Sequence, residues 1–109
     1  MAINRGRIVT VVLQGQYGKP RPAVVIQNNI FPKHNSVTVC PLTSHLVDAP
    51  LFRINIAPDQ ENGLELDSQI MIDKIVSVPR EKIGKQLGQL SEKQILEMNQ
   101  ALALWIGLV

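Results

Sequence analysis

The chain has 109 residues, 45% of them apolar, and a mean hydropathy of +0.08. That supports one domain over residues 1–109 with a single core, leaves no room for a second, and excludes a disordered chain. An aromatic content of 4% argues against a base-stacking platform built from several rings, and the formal charge is +2. The single cysteine, Cys40, has no internal disulfide partner, and with only two histidines beside it no zinc spacing pattern is met. The sequence thus calls for no metal or other cofactor and points to a reducing compartment. No apolar run reaches the roughly 18–20 residues that span a bilayer, and the N-terminus lacks a signal peptide's apolar region, so a cytoplasmic protein with no membrane partner is expected.

In chain order, Arg7 to Leu13 reads R-I-V-T-V-V-L, a β-branched run bounded by glycines, and predicts a first strand. Gln14 to Pro20 holds two glycines and a proline and predicts an exposed loop able to close over something. Pro22 to Gln27 predicts a second strand. After the turn signals of Asn28 to Asn35, Ser36 to Leu42 alternates as a third, with Val37 and Val39 on one face. Phe52 to Ile56 predicts a strand with Phe52, Ile54 and Ile56 toward the core. Asn62-Gly63 marks a turn, Leu64 to Val78 is extended, and Pro79 to Lys82 suits one helical turn. Gly84 to Leu90 is ambiguous.

The clearest helix starts at Ser91, where Ser91-Glu-Lys-Gln94 forms a capping box. Ile95, Met98, Leu102 and Trp105 then share one face until Gly107 stops the helix near Ile106. Strands first and one helix last predict a mainly β fold, a small bent antiparallel sheet or half-open barrel capped by the C-terminal α-helix.

Charge is distributed unevenly. No acid precedes Asp48, while Arg5, Arg7, Lys19, Arg21 and Lys33 all do. Gathered on one face they would suit a polyanion; scattered by folding they would not. Arg21 is the most distinctive of them, because Pro20 and Pro22 flank it. Each proline fixes its own φ and pushes its predecessor toward extended geometry, so the arginine loses part of its backbone entropy in advance. Its planar fork suits a phosphate, although a solvent-facing arginine beside a strand is the plain alternative.

Thr43 and Ser44, at the end of the third strand, offer two hydroxyl donors or else a turn that bonds its own backbone. Asp73 sits in an otherwise apolar extended run. It needs solvent or a partner from elsewhere, and a surface salt bridge would suffice.

Arg5-Gly-Arg-Ile-Val9, Arg21-Pro-Ala-Val-Val-Ile-Gln27, Val39-Cys-Pro-Leu-Thr-Ser44, Gly63-Leu64 and Asp67-Ser68, in that order, resemble the signature of the MazF/PemK (Kid) toxin endoribonucleases. The resemblance implies an SH3-like β-barrel of the kind shared with CcdB, a homodimer, metal-independent cleavage of single-stranded RNA at short sequences, and a cognate antitoxin that covers the site. Carried over by position, it makes Arg21, Thr43 and Asp73 the catalytic candidates. Ser44, Gln16, Lys19, His45 and Phe52 are the substrate-contacting candidates. Met71 stands where some family members place an arginine.

The implied chemistry is attack of an RNA 2′-hydroxyl on the adjacent phosphorus, giving a 2′,3′-cyclic phosphate and a 5′-hydroxyl. Arg21 and Thr43 would face the charge that develops on the non-bridging oxygens. Asp73, His45 or Arg21 would take the 2′ proton, and a guanidinium with a pKa above about 12 is the poorest base of the three. Two other readings share the fold: a CcdB-like gyrase poison acting through its C-terminal helix, and an inactive member that only binds antitoxin or nucleic acid.

Overall fold

The computed structural model describes residues 3–15 and 17–109. Seven strands and one α-helix follow in order: β1 (Arg7–Val12), β2 (Pro20–Val25), β3 (Ser36–Thr43), β4 (Arg53–Ile56), β5 (Ser68–Met71), β6 (Val76–Pro79), β7 (Ile83–Gln89) and α1 (Glu92–Trp105). Short 3₁₀ turns occupy Ile72–Lys74 and Arg80–Lys82. All the strand pairs are antiparallel, in the order β4-β5-β3-β2-β1-β7, with β6 joined to β3. No ladder closes β4 onto β7, so the expected barrel is an open, bent sheet.

The central strands are apolar on both faces because the sheet is covered on both. Ile8, Val24 and Cys40 face one cluster, with Ile54, Ile56, Ile70 and Ile72, and Met98 and Leu102 of α1 cap it. Val9, Val11, Ala23, Val25, Val37 and Val39 face a second, valine-rich cluster. β-branched side chains pack well on a pleated surface, which is why these runs form strands and not helices.

The extended segment predicted over residues 64–78 breaks in the middle. β5 pairs with the end of β3 through Leu42↔Ile70 and Thr43↔Gln69, while β6 pairs with its beginning through Val37↔Val78 and Val39↔Val76. The 3₁₀ turn between them leaves the ladder and buries Ile72 completely. Ile72 keeps a backbone bond there, its N–H donating to the Phe52 carbonyl at 3.0 Å.

α1 begins as expected. The Ser91 hydroxyl accepts from the Gln94 N–H at 3.1 Å, and the Gln94 side chain accepts from the Ser91 N–H at 2.9 Å. It ends at Gly107, whose φ of +81° lets Leu108 N–H reach the Ala103 carbonyl at 2.7 Å. Met98, Ala101 and Leu102 are its buried face. Trp105 departs from the expected stripe: it is half exposed and rests against Phe52 with ring centroids 5.6 Å apart.

Gly63 lies in the left-handed region at φ +67°, and a Cβ there would collide with the carbonyl oxygen of Leu87 on β7. Gly63→Ala is therefore expected to destabilise the fold by about 2 kcal/mol or more, through left-handed strain and overpacking together. Urea unfolding checks this: the midpoint should fall while the m-value stays constant.

Candidate active-site cleft

Proline determines where the cleft opens. β2 pairs with β3 only over Ala23↔Pro41, Val24↔Cys40 and Val25↔Val39. Before Ala23 come Pro20 and Pro22, which have no N–H to give a ladder on that side; both lie opposite β1 residues, Val12 and Thr10. Beyond Pro41, β3 is paired only along its other edge, to β5. The strands part, and an open cleft of about 580 Å³ lies between them. Arg21 and Pro22 form one bank, Pro41 to Ser44 the other, and Gly63 to Leu66 a third wall, with Ser68, Met71, Leu13 and Leu87 completing it.

Three of the predicted site residues thus share one cleft: Arg21, Thr43 and Ser44. Arg21 is exposed, opposite Val11 of β1. Thr43 Oγ1 accepts the backbone N–H of His45 at 3.1 Å. The turn expected as the plain alternative is present, and it leaves the hydroxyl proton free for another acceptor; the two readings are compatible.

The other candidates do not line the cleft. His45 is exposed and takes part through its backbone. Lys19 is exposed, two residues before Arg21 but outside the lining, and Phe52 packs toward α1 against Trp105. Gln16 lies outside the described residues. Asp73 is on the 3₁₀ turn and not, as expected, in a strand. Its Oδ1 accepts from Arg53 Nε at 2.8 Å and its Oδ2 from Arg53 Nη2 at 3.2 Å, with both side chains largely buried. The Arg53 hydrogen bonds hold its carboxyl below the usual carboxylate range, against the opposing effect of burial. A carboxylate so engaged is a weakened proton acceptor.

Gln69 was not singled out by the sequence, yet it is the polar hub behind Thr43. Opposite Thr43 on β5 and 3% exposed, it donates through Nε2 to the Val47 carbonyl and to Asn55 Oδ1, both at 2.8 Å. Its Oε1 accepts the Val47 N–H at 3.1 Å. One side chain thus ties the loop that follows Thr43-Ser44 to β4 and β5. Only its place in an apolar strand hinted at this, as it did for Asp73.

The early cations are dispersed. Arg5 donates from Nε to the Ile26 carbonyl at 2.8 Å, and partial burial lowers its pKa. Arg21 lines the cleft, whereas Lys33 lines a separate hollow with His34 and Arg80. Cys40 is wholly buried, and burial pushes its thiol up to about 12, which makes it an inert core residue. Among the described residues no three His, Cys, Asp or Glu side chains gather as a metal site, and no helix is long and apolar enough to cross a membrane.

One arginine, one glutamate and three hydroxyls, those of Thr43, Ser44 and Ser68, line the cleft of this open β-sheet domain. Residues 4–106 match the model of the PemK-like, MazF-like toxins of type II toxin-antitoxin systems, and the chain belongs to that family. It is 41% identical over 107 residues to the protein named probable endoribonuclease MazF of Mycolicibacterium smegmatis, covering 97% of this chain and 98% of the relative. A Staphylococcus saprophyticus endoribonuclease MazF is 28% identical over 94 residues, 85% of this chain and 78% of its own. Among solved structures, a mycobacterial endoribonuclease in complex with its cognate antitoxin superposes with a TM-score of 0.82 at 22% identity, over 97% of this chain and 96% of that one. The Mycobacterium tuberculosis toxin MazF-mt6 does so with 0.80 at 22%, over 93% and 96%. These two share its fold.

Asp73→Asn should remove charge-assisted bonds from a nearly buried Arg53 and lower stability at pH 7 by about 1–3 kcal/mol. Because the folded pKa is depressed, the contribution is complete above the unfolded value near 3.9 and fades as pH falls through the lower native value. Thermal unfolding of wild type and variant between pH 7 and pH 2 should show the gap between them closing on the acid side only.

Proposed function

We propose that this chain is the toxin endoribonuclease of a toxin-antitoxin pair and cleaves single-stranded RNA at short sequences. The observation that carries the reading is the convergence of Arg21, Thr43 and Ser44 on one cleft where β2 and β3 part. The family and the name of the 41% identical relative support it.

A phosphodiester seated between the banks would set its non-bridging oxygens against the Arg21 fork and the Thr43 hydroxyl, with Ser44 as a further donor. As the 2′-oxygen bonds to phosphorus, negative charge grows on those oxygens. Donors already in place stabilise it without reorganising. The Thr43 oxygen already accepts the His45 N–H, so its proton is the part directed to substrate. The P–O5′ bond then breaks, leaving a cyclic phosphate and a 5′-hydroxyl. The nucleophile is internal to the RNA, so the route requires no metal to generate one. Asp73, engaged by Arg53, serves in this reading to brace the turn below the cleft. Lys19, His45 and the segment predicted as a loop over Gln14 to Pro20, in which Tyr17 is 99% exposed, would contact flanking nucleotides. A cognate antitoxin would compete for the same cleft, and a homodimer would double it.

The test is single-turnover cleavage of mixed-sequence RNA in EDTA, with end analysis. Wild type should leave cyclic phosphate and 5′-hydroxyl ends; 5′-phosphate ends would mean a hydrolytic route and sink the mechanism. Arg21→Ala and Thr43→Val should each slow cleavage by on the order of 10² to 10³, the usual effect of removing one preorganised donor. Affinity for an RNA lacking the attacking 2′-hydroxyl should change far less. If both variants cleave at the wild-type rate, the cleft is not the active site. The exposed helix end at Trp105, Ile106 and Leu108 then favours the protein-binding, CcdB-like reading.

A further inference from the structure

Transphosphorylation needs a proton acceptor beside the 2′-oxygen, because an un-ionised hydroxyl is a poor nucleophile. We propose that Glu65 is that general base; the inference rests on the ribonuclease reading above. Of the chain's nine acids, Glu65 alone lines the cleft that holds Arg21 and Thr43. Neither histidine lines it, and His34 borders the other hollow, beside Arg80. Asp73 has both oxygens on Arg53. The Glu65 carboxylate makes no hydrogen bond or ion pair among the described residues and is exposed to the cleft's solvent.

Its backbone is pinned on both sides. The Leu64 N–H donates to Asn62 Oδ1 at 3.0 Å, and the Ser68 hydroxyl donates to the Leu66 carbonyl at 2.9 Å. Asn62 is fully buried and Ser68 7% exposed. The Asn62 amide also donates to the Ala57 carbonyl at 2.8 Å, and Gly63 is wedged against Leu87. Glu65 is thus carried on a braced backbone, with its neighbours one residue away on each side anchored to buried polar groups. Arg21, on β2, is the one cation lining the same space. The β3, β5 and β7 walls contribute only the uncharged Thr43, Ser44, Ser68, Met71 and Leu87 and their apolar neighbours.

In the step, a Glu65 oxygen takes the 2′-hydroxyl proton as the 2′-oxygen bonds to phosphorus. The P–O5′ bond breaks, the 5′-oxygen takes a proton from water, and Glu65 returns its own proton to solvent. No water or proton is consumed overall.

The experiment is single-turnover cleavage across pH in EDTA with saturating protein, beside affinity for RNA carrying 2′-hydrogen at the cut site. Glu65→Gln should slow cleavage by on the order of 10² and flatten the acid limb of the rate profile, the signature of a lost base. Binding of the 2′-deoxy RNA should hold or tighten slightly, since a negative charge near phosphate is gone. Glu65→Ala should regain part of its rate with added formate, while Thr43→Val should not. Wild-type cleavage by Glu65→Gln with its acid limb intact, alongside slow Arg21→Ala and Thr43→Val, overturns the base assignment and leaves the ribonuclease reading standing. An equal loss of cleavage and of 2′-deoxy RNA affinity in Glu65→Gln also overturns it, by making the residue a binding group. Wild type that cleaves no RNA removes both.

Discussion

A β-ladder continues only while both strands can exchange N–H and C=O groups, and prolines stand where β2 and β3 stop doing so. Past the Ala23–Pro41 pair, β2 runs on through Pro22, Arg21 and Pro20 paired with β1 alone, while β3 stays paired only along its far edge, to β5. The cleft is the space this divergence opens. The same prolines stiffen the backbone on both sides of Arg21, which lines the cleft. The bent, unclosed sheet follows as well, since β3 shares its far edge between β5 and β6.

Buried polar groups then make the rim rigid. Asn62, Gln69 and the Arg53–Asp73 pair each satisfy their hydrogen bonds internally, and no buried side-chain nitrogen or oxygen among the described residues lacks a partner. Satisfied networks of this kind specify one arrangement, because any alternative leaves a desolvated polar atom costing about 1–3 kcal/mol. Asn62 holds the wall that carries Glu65, and Gln69 holds the loop beyond Ser44. Asn62 bonds the residue next to Glu65, and Gln69 bonds Val47, three residues beyond Ser44.

The electrostatic character of the site is local. The early block of cations reads as a basic arm in one dimension, yet folding sends Arg5 to a backbone carbonyl and Lys33 to a different hollow. Arg21 is left as a single cation opposite a single carboxylate. Bulk positive charge is therefore not what distinguishes this cleft.

Periodicity and local chemistry in the sequence determined the strands at Arg7, Ser36 and Phe52, and the capping box at Ser91 with its glycine stop, because these depend on neighbours within a few residues. Arg21, Thr43 and Ser44 were legible as candidates for the same reason: prolines and strand ends announce themselves locally, and the family resemblance named them. Tertiary structure alone decided the fate of the Leu64-to-Val78 run, whose two halves pair with opposite ends of β3 on either side of a 3₁₀ turn. It also paired Asp73 with Arg53, twenty residues away, and set Glu65 in the cleft and Trp105 against Phe52. A charged or aromatic side chain takes its role from what folding brings beside it, and no spacing along the chain encodes that partner.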